Sequence, residues 1–326
     1  MRHTDLATAL AVVLGCAMAS QAGAQAFPNR PIRIVVGYQP GGAADMVSRV
    51  VAKGMTEKLG QQVLVDNRPG AGGFVANELV AKSPPDGYTL LLANSSFAYI
   101  PAMFTKLKFD TKTDFIPVAL VATTQNVLVT HPAVPVKNVK ELVALARAKP
   151  GQLNYASGGT GGSTHMATEL FKSMTKTNIV HVPYKGNGPS IFDLISGQVD
   201  ITIAPIPAML PFITGGARKL KPLATSGLKR TPMLPDLPTI AESGVPGYDA
   251  GSWYGYMVPA KTPAAIIAVL ERELMAVGGS PQFDEQLKTG VGAEPSILSS
   301  DKFRELVAFE TEKWGKIIRD AGIKGE

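Results

Sequence analysis

The chain has 326 residues, 45% hydrophobic and only 18% charged, which gives apolar content for two domains or one large one and excludes a disordered chain. A single cysteine, Cys16, excludes a disulfide scaffold and a cysteine-rich zinc site. The formal charge of +6 is small and evenly spread; it excludes nucleic acid as a partner and leaves small anions open.

In chain order, residues 1–5 carry an Arg and a His, and residues 6–19 are almost wholly apolar. Ala22, Ala24 and Ala26 then stand where a signal peptidase cuts. The apolar run is well short of the ~20 residues that span a bilayer, so the pattern predicts a signal peptide over 1–26 and an exported, periplasmic mature protein. Cleavage after Ala24 or Ala26 leaves a mature chain without cysteine. Val13-Leu14-Gly15-Cys16 loosely resembles a lipoprotein cleavage site, which keeps lipidation at Cys16 open as a second reading. No later run approaches 18 apolar residues, and the mature chain is expected to be soluble.

Residues 31–37 read as a buried strand and Gln39-Pro40-Gly41-Gly42 as its end. Met46, Val47, Val50, Val51 and Met55 then recur at helical spacing. A strand over 62–66, a glycine-rich turn over 67–73, a helix over 74–82 and a strand over 88–93 follow, the last ending in Asn94-Ser95-Ser96. This alternation predicts a parallel sheet with right-handed crossovers and helices on both faces. The pattern restarts: strands over 127–130, 153–157, 180–183, 201–204 and 220–224, helices over 139–149, 164–174 and 188–196. An aromatic strand over 253–258 and helices over 263–277 and 301–321 come last. They have no full sheet of their own and are expected to return to the first unit. The expected organisation is a discontinuous first lobe (27–124 and 246–326), an inserted second lobe (125–245), and two chain crossings that form a hinge.

Two loops draw attention: residues 37–45 and 157–165. Each follows a buried strand and opens a helix, the end at which open α/β sheets bind ligands. Helix starts present unpaired N–H groups and a partial positive charge, and glycine allows close approach. Two such loops, one per unit, suit the two ends of a dicarboxylate. Neither loop is a nucleotide motif, since there is no GxxxxGK[ST] run and neither gives GxGxxG. Asp45 either complements its helix dipole or contacts a ligand hydroxyl or amine. Ser163 and Thr164 either cap their helix or donate to the ligand. Tyr38 packs over a ligand or covers the sheet edge. In the loop over 182–189, Lys185 beside Tyr184 is an anion partner or a solvated lysine. Asp200 reads as a turn residue.

Catalysis is disfavoured. His131, His165 and His181 show no metal-ligand spacing, and there is no GxSxG elbow. Ser163 and His165 are two apart on a helix and do not face each other. His165 reads as a packing or supporting residue, His131 as structural. No catalytic residue, metal ligand or cofactor is expected.

Several motifs in order carry a family resemblance: Pro40-Gly41-Gly42-x-x-Asp45-x-x-x-Arg49, Val65-Asp66-Asn67-Arg68-Pro69-Gly70-Ala71-Gly72-Gly73, Pro84-x-Asp86-Gly87-Tyr88-Thr89-Leu90, the glycine loop ending at His165, Val182-Pro183-Tyr184-Lys185-Gly186, Gly197-Gln198-Val199-Asp200, Leu237-Pro238-Thr239-Ile240-Ala241-Glu242 and Trp253-Tyr254-Gly255. From about Pro28 onward the chain resembles the Bug family, the exported solute receptors of tripartite tricarboxylate transport systems. The resemblance implies an α/β, two-lobed periplasmic-binding-protein (type II, Venus flytrap) fold with parallel-rich sheets and flanking helices. It implies a monomer that captures a small carboxylate and delivers it to membrane transporter subunits. Ligand contacts then fall on Gly41, Gly42, Ala43 and Asp45, and on Gly161, Gly162, Ser163 and Thr164, with Asn94 and Ser95 lining the same cleft. Tyr38-Gln39 departs from the Pro-Phe pair of many members, so the ligand does not carry over. A sensor that presents ligand to a signalling partner, or a periplasmic hydrolase, are the alternatives.

Overall fold

The structure, a computed structural model, describes residues 27–104, 106–184, 186–214, 219–320 and 322–323. The leader expected over 1–26, with Cys16, lies outside the described residues. In the first stretch β1 (Ile32–Val36), α1 (Ala43–Leu59), β2 (Val63–Asn67), α2 (Phe74–Ala81), β3 (Thr89–Asn94), α3 (Ser96–Met103) and β4 (Phe115–Thr124) follow one another. The middle holds β5 (Asn126–Thr130), α4 (Val139–Ala148), β6 (Asn154–Ser157), α5 (Ser163–Thr175), β7 (Val180–Pro183), α6 (Asn187–Ser196), β8 (Ile201–Pro205), α7 (Ile206–Ile213) and β9 (Lys221–Thr225). Then come β10 (Ser252–Pro259), α8 (Ala264–Gly278), α9 (Pro281–Gln286), β11 (Glu294–Leu298) and α10 (Ser300–Asp320).

The strands form two sheets, ordered β11-β4-β10-β3-β1-β2 and β7-β6-β8-β5-β9. The alternation of side chains along β1 explains why it is apolar throughout. Ile32, Ile34 and Val36 face Val47, Val51 and Met55 of α1, whereas Val35 faces Ala76 and Val80 of α2. The second sheet is covered likewise. Leu128, Tyr155 and Ile203 pack with Met166 and Phe171 of α5, and Val127, Val129 and Ala156 pack with Leu194 of α6 and Met209 of α7. α1 stops at Gly60, whose φ of 65° turns the chain left-handed while its N–H closes on Thr56 O at 3.0 Å.

Three features differ from expectation. Each sheet is parallel in only one half: β1 runs parallel to β2 and β3, and β6 to β7 and β8. β10 is antiparallel to β3 and β4, and β5 to β8 and β9, because the chain enters each of these strands from the other sheet. Secondly, α3, β4, α7 and β11 carry no clear sequence signal. β4 contains Pro117, tolerated because it sits at a register shift against Tyr256 and Met257 and outside the β11 pairing; Pro101 and Pro211 sit inside α3 and α7. Thirdly, the late helices do not all stay with the first sheet. α8 does, through Leu270, Leu274 and Val277. α10 has 21 residues, about 30 Å of helix, and it joins both cores: Phe303 packs under the first sheet, while Trp314 and Ile318 join the second. Trp314 packs against Tyr99 of α3 with ring centroids 4.7 Å apart and planes tilted by 60°.

The two chain crossings lie side by side. Asn126 donates Nδ2–H to Ala250 O at 2.6 Å, and its N–H reaches Ser226 Oγ at 2.8 Å. Among the described residues no helix is long and apolar enough to cross a membrane.

Candidate functional site

The first loop leaves β1 and turns at Gly41, whose φ is +84°, a conformation that favours glycine. Gly42 is the N-cap of α1 in extended geometry (φ −80°, ψ 166°), with no side-chain cap. The first intrahelical bond is Met46 N–H to Gly42 O at 3.0 Å, so the N–H groups of Ala43, Ala44 and Asp45 precede it. Asp45 is buried and braces the loop from behind. Its Oδ2 accepts from Gly41 N and Arg49 Nε, each at 2.9 Å, and its Oδ1 accepts from Asn67 Nδ2 at 3.0 Å. Burial pushes its carboxyl pKa up, but the bonds from Arg49, Gly41 and Asn67 outweigh this and hold it below the usual carboxylate range.

The second loop repeats this backbone. Gly161 has φ +78° and Gly162 is the N-cap of α5 at φ −74°, ψ 166°. Met166 N–H meets Gly162 O at 3.0 Å, so the N–H groups of Ser163, Thr164 and His165 precede the first intrahelical bond. Here His165 stands where Asp45 stands in the first loop, and its Nδ1 accepts from Gly161 N at 3.1 Å. Expected capping by Ser163 or Thr164 is not what forms: Gly162 is the cap, with no side-chain bond. The Thr164 hydroxyl instead accepts from Gly158 N at 2.9 Å, because the φ of Gly161 turns the loop back over the helix start.

The loops approach each other through a third one. A Cβ on Gly72 would lie 3.5 Å from Gly161 O and 3.9 Å from Gly162 N, so first-lobe and second-lobe backbones meet at glycines. Gly72 is fixed by side chains from the first sheet. Its carbonyl lies 2.9 Å from the Tyr38 hydroxyl and 2.7 Å from Ser96 Oγ, and Asn94 Oδ1 lies 2.6 Å from the same serine hydroxyl, whose single proton serves one of the two acceptors at a time. Tyr38 is half-buried, and burial raises its phenol pKa.

On the first lobe, Asn67 links Asp45, and through it Gly41, to the Tyr38 carbonyl, and the Tyr38 hydroxyl lies 3.0 Å from Asn94 Oδ1; on the second, Gly161, Gly162, Ser163 and Thr164 form one loop, which the first lobe meets at Gly72. Ser95 stands behind this surface: it is 0% exposed, and its hydroxyl accepts from Trp253 N at 3.2 Å. The Tyr184 hydroxyl donates to Asp193 Oδ2 at 2.7 Å, and burial with that carboxylate pushes its pKa up to about 12. Lys185 lies outside the described residues. Sequence reasoning placed Asn67 and Gly72 in a family motif and Ser96 at a strand end, but gave none of them a part in the site. It also missed the pairing of Ser157 Oγ with His181 Nε2 at 2.6 Å. That pair offers no nucleophile to a ligand, because Ser157 is fully buried and its Oγ accepts from Gly159 N at 3.2 Å. Asp200 is structural, exchanging bonds of 2.8 and 3.0 Å with Asn154.

Residues 47–323 match the family described as "Tripartite tricarboxylate transporter family receptor". Protein BugT of Bordetella pertussis is 35% identical over 99% of each chain. Two solved structures from Rhodopseudomonas palustris share the fold. Rpa4515, solved with adipate, is 37% identical, with a TM-score of 0.84 over 91% of this chain and 99% of that one. MatC, with bound malate, is 30% identical, with a TM-score of 0.81 over 90% and 100%. With a family match over most of its length, a relative 35% identical over 99% of each chain and two sheets flanked by helices, the chain belongs to the tripartite tricarboxylate transporter receptor family.

Proposed function

We propose that this protein is an exported receptor that captures a small dicarboxylate between its lobes and delivers it, chemically unchanged, to membrane transporter subunits. The observation that carries this reading is the duplicated helix start. Two helices open on glycine with the same backbone angles and no side-chain cap, and each offers unpaired N–H groups to an anion. Adipate and malate, held by the two relatives, carry a carboxylate at each end. In this reading one carboxylate sits on Ala43–Asp45 N–H groups and the other on those of Ser163–His165. In the same reading Tyr38, Asn94 and Ser96 shape the wall between them. The first lobe comprises 27–124 and 246–326, the second 125–245, and ligand contacts on both favour closure about the crossings at Asn126 and Ala250. The leader over 1–26 directs export, and the receptor acts as a monomer.

A thermal-shift series with mono-, di- and tricarboxylates and aromatic acids tests the reading. A ligand held only by the folded state raises the melting temperature. A clear rise with a dicarboxylate and none with the matching amide is the expected result. No rise with any carboxylate contradicts it, and turnover of a bound compound shifts the assignment to an enzyme.

A further inference from the structure

The two glycine loops are alike in backbone and unlike in the group that braces them. In both, the side chain four residues on captures the N–H of the left-handed glycine: Asp45 Oδ2 on Gly41 N at 2.9 Å, His165 Nδ1 on Gly161 N at 3.1 Å. Asp45 remains an acceptor at any pH above the carboxylate range. An imidazole is an acceptor at Nδ1 only while neutral and with its proton on Nε2.

His165 is 5% exposed and sits in a stack. The His181 ring of β7 lies 4.2 Å away, nearly parallel, and Tyr155 of β6 follows 4.7 Å beyond His181. From its own helix, Glu169 and Lys172 face the stack: Tyr155 donates its hydroxyl to Glu169 Oε1 at 2.6 Å, and Lys172 lies 5.3 Å over the Tyr155 ring. Ser157 of β6 bonds His181 from the other side. Burial lowers the His165 pKa, Glu169 opposing and Lys172 reinforcing. Burial also lowers that of His181 to about 4, helped by His165. The stack thus holds neutral rings at neutral pH.

We propose that His165 is a positioning residue that holds the second ligand loop in its binding geometry through Gly161, and that its protonation releases this loop while the loop braced by Asp45 stays formed. A protonated imidazole carries hydrogens on both nitrogens and repels the Gly161 N–H it formerly held. The receptor therefore has one acid-sensitive grip and one acid-resistant grip. This inference rests on the carboxylate-receptor reading for its effect on affinity, but not for the bond itself.

The test compares wild type, His165→Asn and His165→Leu. Asn places an acceptor oxygen where Nδ1 stood and does not titrate; Leu has no acceptor. Affinities for adipate and malate are measured by calorimetry from pH 7.5 to pH 5. At pH 7.5 Leu is expected to bind about tenfold more weakly than Asn, which keeps an acceptor for Gly161, the loss of one ordering hydrogen bond. Ligand protonation affects all three proteins equally, so the ratio of wild-type to Asn dissociation constants isolates His165. That ratio is expected to stay flat near neutrality and to rise on acidification, toward about the tenfold loss of the Leu variant once the ring is protonated. A flat ratio throughout, or Asn as weak as Leu, overturns the proposal. Nitrogen NMR of the wild-type protein without ligand supplies a second arm. The Nε2–H tautomer, with a Gly161 amide that moves as His165 titrates, is expected. An Nδ1–H tautomer, or an indifferent Gly161 amide, overturns the proposal even where adipate and malate fail to bind and the receptor reading falls separately.

Discussion

Gly42 and Gly162 occupy equivalent caps, but an added side chain meets different surroundings. At Gly42 a Cβ would lie 3.7 Å from Gln39 O, an ordinary contact, and its φ of −80° is open to any residue. At Gly162 the nearest atom, Gly159 O, is only 3.2 Å away. Gly42→Val is therefore the cleaner probe: thermal melting should change little, while affinity for a dicarboxylate falls at least about tenfold, because the branched side chain stands over the N–H groups that bind it. Unchanged affinity would remove the first loop from the site. Asp45→Ala acts differently. It strips acceptors from Gly41, Arg49 and Asn67, and chemical denaturation should report a loss of roughly 1–3 kcal/mol. The glycine caps were legible because strand, glycine pair and helical spacing fall in one run of sequence. The bracing role of Asp45 and His165 was not, since it depends on the positive φ of the preceding glycine, which brings an N–H back over the helix start.

At the scale of elements, α5 lies on β6 and β7 through two stacked histidines that are kept neutral by burial. Unfolded histidines titrate near the usual ~6.5, whereas the folded His181 titrates at about 4. Below the unfolded value the unfolded chain binds more protons, so stability is complete above about pH 6.5 and declines as pH falls toward 4. Urea unfolding at pH 7.5 and pH 4.5 should show this loss, and His181→Phe should reduce it. The elements that sequence did not reveal are those with proline inside, such as β4 with Pro117 and α3 with Pro101, where burial on all sides outweighs the missing N–H. α10 was legible as a helix, but not as a link between cores, since its apolar spacing carries no information about which sheet each turn meets. Trp314 is 1% exposed, packs at a tilt against Tyr99 and donates to Glu310 at 2.7 Å. Trp314→Ala should cost about 3–5 kcal/mol in unfolding free energy.

The whole molecule is two similar sheets joined at paired crossings, with a glycine-capped helix start on each and glycine backbones meeting where Gly72 approaches Gly161. The two-lobed plan was legible because the strand–helix alternation restarts midway along the chain. The antiparallel halves were not, since direction depends on which sheet the chain has just left. The central claim is that a dicarboxylate is held at both ends by backbone N–H groups of opposite lobes. Amide NMR during titration with adipate or malate tests it most directly. The account predicts that the amides of Ala43, Ala44 and Asp45 and those of Ser163, Thr164 and His165 shift together along one binding curve. Movement of only one set, or of neither while the ligand binds elsewhere, would contradict it.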